Sequence, residues 1–327
     1  MAKEIKINTR ERVISSRVGS KNISAPYGWF RGEDMSFYPN KDSLHDLSEI
    51  TDLFLGNRIV GKLPIKDETI VTTFGSCFAS HIANWFSCKN IGNSISDAYV
   101  IRFNEGFVNT YTILQQFEWA LENKIPKAGL WFDAEGNILE YDEKIRNETC
   151  EIFRNTDVFI ITLGLSEVWY DKHTDEVFWR AVPRRHYDAD RHKFRQTTVE
   201  QNYNNLKSIC RLINNSVKDA KIVFTLSPVP LISTFRSVPI VQANTVSKSI
   251  LRVAVESLID QNLFKNIFYW PSYEIINTFF LDPFLDDCRH IRSEILNFNM
   301  ALFDYYACKG INYDELCEFH GKAKLYL

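Results

Sequence analysis

No Cys-x-x-Cys pair occurs among the seven cysteines of this 327-residue chain, and their number is odd. Both facts argue against a disulfide framework and a cysteine-based zinc site, and leave reduced, mostly buried thiols. Positive charge is not in surplus. Lys and Arg number 38 against 41 Asp and Glu, for a formal net charge of -3. That balance argues against nucleic acid or another polyanion as the main partner, although a local basic patch stays open. No apolar run is long enough to span a bilayer, and the opening Met1-Ala2-Lys3-Glu4-Ile5-Lys6 lacks the apolar core of a signal peptide. The expected compartment is the cytoplasm. Internal repeats and low-complexity tracts are also missing.

What the chain does have is apolar bulk. Hydrophobic residues make up 45% of it, enough for one large domain or two modest ones. Aromatic residues reach 14%, which suits a thick core and a carbohydrate-binding surface equally. Residues 1 to 65 are polar and irregular, with turn signals at Ala25-Pro26-Tyr27-Gly28 and Pro39-Asn40, and read as an extension packed on the main domain. From residue 66 apolar strands alternate with amphipathic helices, the pattern of α/β units around a parallel sheet. Strands are expected at Thr69–Phe74, Val158–Leu163, Lys221–Leu226 and Asn266–Trp270, with a further one near Asp97–Ile101. Helices are expected at Ser76–Cys88, Thr110–Glu122, Val199–Asn215, Val241–Gln261 and Arg289–Ala307. Residues 126–148 read as a loop or small hairpin. Residues 171–197 read as a charged inserted loop leaving the carboxyl edge of a strand, the edge that lines ligand crevices in such sheets, and so as a lid.

Val71-Thr72-Thr73-Phe74-Gly75-Ser76 is a β-branched run that ends in a glycine turn, with a helix pattern following at once. Gly75 allows a sharp turn and close approach of a substrate. Ser76 then stands at a helix start, beside unpaired N–H groups and the positive end of the dipole. It can attack a carbonyl while its own N–H holds the oxyanion, or it can simply cap the helix. Asp287-Cys288-Arg289-His290 puts a carboxylate three residues before an imidazole, so that both can lie on one side of a turn. The carboxylate then orients the ring while the other ring nitrogen faces a serine. A surface ion pair is the plainer alternative.

Other residues meet the same edge. Gly164, in Leu163-Gly164-Leu165-Ser166-Glu167, can offer its N–H to an oxyanion, and Ser166 or Glu167 can orient substrate. Asn109 either caps the helix that follows or points its amide into the crevice. Ser227-Pro228-Val229-Pro230 reads as a pocket wall stiffened by prolines. Cys77 is a rival nucleophile, and His81 a packed or surface histidine. Arg184 and Arg185 belong to a basic loop that is solvated surface or, alternatively, a fork for an anionic substrate.

Phe74-Gly75-Ser76-Cys77-Phe78-Ala79 resembles the signature of the GSCFA family, within the wider SGNH/GDSL hydrolase group. Phe107-Val108-Asn109-Thr110-Tyr111, Leu163–Trp169, Thr225–Pro230, Tyr269–Glu274 and Asp287-x-x-His290 are similar to that family in the same order, over roughly residues 68 to 300. The resemblance implies a three-layer α/β/α sandwich with a flavodoxin-like parallel sheet. It also implies Ser76 as nucleophile, His290 as base and Asp287 as the orienting carboxylate. The implied activity is an esterase or O-acyltransferase working through an acyl-serine on a small acyl ester of a carbohydrate. An acyl donor would be a co-substrate in the transfer case, and no metal or organic cofactor is called for. The alternative is a glycan-binding or scaffold protein that has lost turnover. Two departures stand out. The Gly-x-Ser-x-Gly elbow of the α/β-hydrolases is absent. Where the better-studied SGNH enzymes carry an oxyanion-binding Asn, this chain has Gly164-Leu165-Ser166-Glu167, and an ionised Glu cannot donate.

Overall fold

The computed structural model describes residues 5–8, 13–18, 21–26, 38, 45–50, 54–55, 63, 65–66, 68–75, 77–88, 93–94, 108–127, 129–133, 135–179, 181–308 and 310–327. For 5–26, 93–94 and Glu49, Cys77, Phe78, Ser87 and Cys88 the description is of backbone alone.

The N-terminal segment departs from its sequence reading. Instead of irregular chain, β1 (Ile5–Asn8), β2 (Val13–Val18) and β3 (Lys21–Pro26) pair as an antiparallel three-stranded sheet. These strands are rich in Ser, Asn, Lys and Arg, so the alternation that marks a half-buried strand is faint in them. Further on, Leu47, Ile50, Leu55, Leu63 and Ile65 are buried in the main core.

The main sheet is built from β4 (Ile70–Phe74), β5 (Asn93–Ser94), β6 (Val158–Leu163), β9 (Lys221–Leu226) and β10 (Ile267–Trp270). Between β6 and β9 the chain makes β7 (Glu167–Asp171) and β8 (His192–Gln196), an antiparallel pair apart from the sheet. The sheet order is β10-β9-β6-β4-β5 and every pairing is parallel. Register pairs Phe74 with Ile161 and Leu163 with Leu226, so β4, β6 and β9 deliver their carboxyl ends to one edge. All six residues of β6 are buried, as expected of a strand covered on both faces.

Among the described residues, the longer helices flanking it are α1 (Cys77–Cys88), α2 (Thr110–Glu122), α3 (Glu143–Arg154), α4 (Val199–Ser216), α5 (Ile240–Asp260), α6 (Ser272–Phe279), α7 (Ser293–Phe303) and α8 (Tyr313–Ala323). One face of the sheet, through Val71, Ile160 and Val223, packs on Ile82 and Phe86 of α1, Phe279 of α6, Phe298 of α7 and Leu316 of α8. The other face, through Phe159, Ile161 and Phe224, packs on Phe117 of α2, Phe153 of α3, Ile209 of α4 and Leu251 of α5. Each such side chain, fully withdrawn from water, contributes about 1.5–3 kcal/mol. The result is a three-layer α/β/α sandwich.

Three elements differ from expectation. α3 begins inside the stretch 126–148 read as loop or small hairpin and runs on to Arg154. The expected last helix begins at Ser293 instead of Arg289 and passes into a π-helical turn at Asp304–Cys308. The expected lid at 171–197 is instead tied down: Asp171, Val177, Phe178, Trp179 and His192 are buried, and Trp179 N–H donates to Leu130 O. The strand expected near Asp97–Ile101 lies outside the described residues.

Candidate functional site

β4 ends in an aromatic clamp. The Phe74 ring lies 5.1 Å from that of Phe117 and 5.7 Å from that of Phe153, all three fully buried. The next residue, Gly75, has φ +141°, a conformation open to glycine and strained for other residues. A Cβ there would lie 2.7 Å from Thr162 Cβ and 3.1 Å from Thr162 O, so the turn sits directly against β6. Ser76 and the side chains of Cys77 and Phe78 lie outside the described residues. α1 opens at Cys77, so Ser76 fills the single position between the clamped turn and the helix. His81, on the first turns of α1, is exposed.

Asp287 and His290 occupy a pinned turn ahead of α7. A bridge pairs Phe284 with Ile291, and Leu285 N–H donates to His290 O at 2.7 Å. Cys288, with φ +56°, makes the bend. Asp287 Oδ1 accepts from the N–H groups of Arg289 (3.0 Å) and His290 (2.9 Å), while Oδ2 bonds His290 Nδ1. These bonds hold the Asp287 carboxyl down to about 2, the His290 N–H being the largest influence and the imidazole the next. With Nδ1 bound to the carboxylate, Nε2 is left as the ring's working nitrogen, and both side chains are exposed. Arg289 Nη2 donates to Pro230 O at 3.4 Å, tying this turn to the exit of β9.

The exit of β6 is not the donor site the sequence suggested. Gly164 and Leu165 N–H both donate to Val108 O, at 2.7 and 3.1 Å, so the Gly164 N–H is not free for an oxyanion. Ser166 is fully buried; its N–H and hydroxyl engage Ser247, and its hydroxyl also accepts from Gln196 Nε2. Glu167 is buried too and accepts from Arg236 Nη1 (3.1 Å) and the Thr234 hydroxyl (2.8 Å). Both residues hold the β7–β8 hairpin and the 234–236 loop instead of orienting a substrate.

Of its two alternative roles, Asn109 fills that of the cap. Its Oδ1 caps α2 by accepting from Tyr111 and Thr112 N–H, each at 3.0 Å. Its Nδ2 has no hydrogen-bond partner among the described residues. Because the carbonyl of Val108 is held by Gly164 and Leu165, Asn109 stands at the exit of β6, next to that of β4.

Arg185 is anchored, with Nε to Gly136 O and Nη2 to Asn137 Oδ1 at 2.7 Å. Arg184 is exposed in the same short 3-10 turn. Residues the sequence reading passed over also converge on the edge. Lys248 on α5 is 2% exposed, and its Nζ donates to Gly164 O and Ser227 O, both at 2.7 Å. It thereby joins the exits of β6 and β9, and burial lowers its pKa to about 7. A charged residue among Ala243, Ser247, Leu251 and Val255, the buried stripe of α5, is the signal that could have found it. No group of three or more His, Cys, Asp or Glu among the described residues is placed to hold a metal.

The model of the GSCFA family matches residues 70–303, from the first residue of β4 to the last of α7. No curated protein matches the chain.

Proposed function

Because the chain belongs to the GSCFA family, with an aspartate-bound histidine on a turn tied to the carboxyl edge of its sheet, we propose that it is a serine-dependent esterase or O-acyltransferase of the SGNH type. The observation that carries the reading is the Asp287–His290 pair. The carboxylate fixes the imidazole through Nδ1, keeps its own charge through two backbone N–H bonds, and leaves Nε2 to exchange a proton with Ser76. In the proposed first step Ser76 Oγ attacks the ester carbonyl and its proton passes to His290 Nε2. The tetrahedral oxyanion is held by the Ser76 N–H at the start of α1 and by Asn109 Nδ2. Collapse expels the alcohol, which takes the proton from His290, and leaves an acyl-serine. Water, or a sugar hydroxyl in the transfer case, then gives its proton to His290 and attacks the acyl group, restoring Ser76. Asp287 positions the ring throughout and need not change protonation.

The proposed substrate is a small acyl, such as acetyl, ester of a carbohydrate, with an acyl donor as co-substrate if transfer dominates. Arg184 remains the candidate for recognising an anionic group, since Arg185 is spent on Gly136 and Asn137. The five cysteines whose side chains are described are unpaired, which fits reducing, cytoplasmic surroundings. No helix among the described residues is long and apolar enough to cross a membrane.

A second reading, a binding protein without turnover, draws on the β6 exit, where the Gly164 N–H and Glu167 are both occupied. Labelling by a fluorophosphonate serine probe, with intact mass, separates the two. The enzyme reading expects an adduct that is lost in Ser76→Ala, forms about 10²–10⁴-fold more slowly in His290→Ala, and survives in Cys77→Ala. A folded parent that takes no label would refute it in favour of the binding protein.

A further inference from the structure

The two segments that interrupt the α/β alternation enclose a cavity of about 300 Å³ between them. Its lining includes Lys127, Phe132, Glu176, Phe178, Arg191 and His192, and none of it comes from the Asp287–His290 turn, β4 or α1. We infer that this cavity is a binding subsite for a neutral, polyhydroxylated ring, such as an unmodified hexopyranose, distinct in its residues from the proposed catalytic pair.

Size sets the first limit. The volume is at the lower end for small-molecule sites, suited to one ring and not to a nucleotide. Charge sets the second. Among the described lining residues, Lys127 and Arg191 are matched by Asp171 and Glu176. The Arg191 guanidinium is already spent on Asp171, with Nε and Nη2 at 2.6 and 2.5 Å from Oδ2, so it is no open fork for a phosphate or carboxylate.

The other polar groups of the lining include one acceptor and one neutral donor. Glu176 Oε2 is buried with no hydrogen-bond partner among the described residues, a costly state unless a donor arrives. His192 Nδ1 accepts the Asp188 N–H at 3.0 Å, which puts the ring proton on Nε2. Burial lowers the His192 pKa, so the ring stays neutral, and its Nε2–H has no partner among the described residues. A vicinal diol donates to the one and accepts from the other. The wall beside them is aromatic: Phe132 stacks on His186 at 5.5 Å and on Phe178 at 6.3 Å, an apolar surface for the C–H face of a ring.

The inference does not rest on turnover at Ser76, and the test keeps the two apart. The full-length protein is titrated calorimetrically with methyl glucoside, methyl galactoside and N-acetylglucosamine, and with glucose 6-phosphate and glucosamine as charged counterparts. At least one neutral probe should saturate at one site per chain, and the charged probes should bind roughly tenfold more weakly or worse. Glu176→Gln and Phe132→Ala should each weaken the neutral probe roughly tenfold while thermal unfolding stays two-state. Binding should persist in Ser76→Ala. No saturation by any neutral probe, preference for the phosphate, or unchanged affinity in both variants would overturn the subsite. Sugar binding without fluorophosphonate labelling would overturn the esterase reading alone.

Discussion

Gly75 gives the sharpest test of how the turn before Ser76 is built. Gly75→Ala adds one methyl group to a backbone at φ +141°, with Thr162 Cβ 2.7 Å and Ala79 Cβ 3.0 Å from where it must sit. Holding an alanine in that conformation costs of order 1–3 kcal/mol. Crowding a methyl into a packed site costs about 1–3 kcal/mol more. Neither neighbour can swing away, since Thr162 Cβ is fixed to a central strand and Ala79 to a helix. The expected loss is therefore about 2–6 kcal/mol, a large part of the roughly 5–15 kcal/mol typical of a domain.

Two other glycines divide that sum. Gly129 has φ +86° but nothing within 4 Å of its added Cβ, so Gly129→Ala should show the strain alone, about 1–3 kcal/mol. Gly321 lies in α8 with open space and no positive φ, so Gly321→Ala should stabilise by about 0.5–1 kcal/mol. Urea unfolding of the three variants, with midpoints compared at constant m-value, measures each cost. If Gly75→Ala costs no more than Gly129→Ala, the turn is not wedged against β6, and the idea that packing presents Ser76 fails with it.

Three further outcomes follow from the site. The Asp287 carboxyl should titrate near 2 by carbon NMR. Because the His290 N–H outranks the imidazole as cause, His290→Ala should restore only part of the way to 3.8, and full restoration would show the ring to be the dominant influence. Lys248 binds a proton less readily folded than unfolded between about pH 7 and pH 10.5, so stability should rise with pH across that window, by at most about 1.4 kcal/mol per unit. Lys248→Met should remove the rise, and an unchanged slope in urea unfolding from neutral to alkaline pH would refute the assignment. Arg236→Ala strands the buried Glu167 carboxylate and should cost about 3 kcal/mol, whereas adding Glu167→Gln should recover part of that loss. Strict additivity in the double-mutant cycle would show that the pair is not coupled.

How much of this was legible depended on burial. β6 and β9 were read from sequence to the residue, and α2 likewise, because each is a run whose apolar pattern has a single structural solution. α3 was missed for the opposite reason. Only Thr149, Cys150 and Phe153 of its twelve residues are buried, and a segment that is mostly charged on its surface reads as loop. The hairpin of β7 and β8 was read as a lid because Lys172, His173, Asp175 and Arg191 dominate the local composition. Its fixed points, Val177, Phe178 and Trp179, are three consecutive residues without any period. α7 was started four residues early since Asp287-Cys288-Arg289-His290 looks like a helix start. The positive φ of Cys288 and the Phe284–Ile291 bridge instead make it a separate turn.

The candidate site divides along a related line. Asp287 and His290 lie close in sequence to the residues that fix them, and Gly75 directly precedes Ser76, so short motifs sufficed to single them out. Gly164 and Glu167 were misjudged because their partners, Val108, Thr234 and Arg236, are between 56 and 69 residues away and follow no spacing rule. A sequence shows that Glu167 is able to accept hydrogen bonds. It does not show that Arg236 has already filled it. The same reasoning puts weight on Asn109. Once the β6 exit is spent on Val108, Asn109 Nδ2 is a side-chain donor at that edge still without a partner among the described residues. Asn109→Asp keeps the cap oxygen for α2 and removes that donor. If the oxyanion is held there, Asn109→Asp should label with fluorophosphonate about 10²–10³-fold more slowly at unchanged unfolding midpoint. Labelling at the parent rate would show that the backbone N–H groups at the start of α1 hold the oxyanion by themselves.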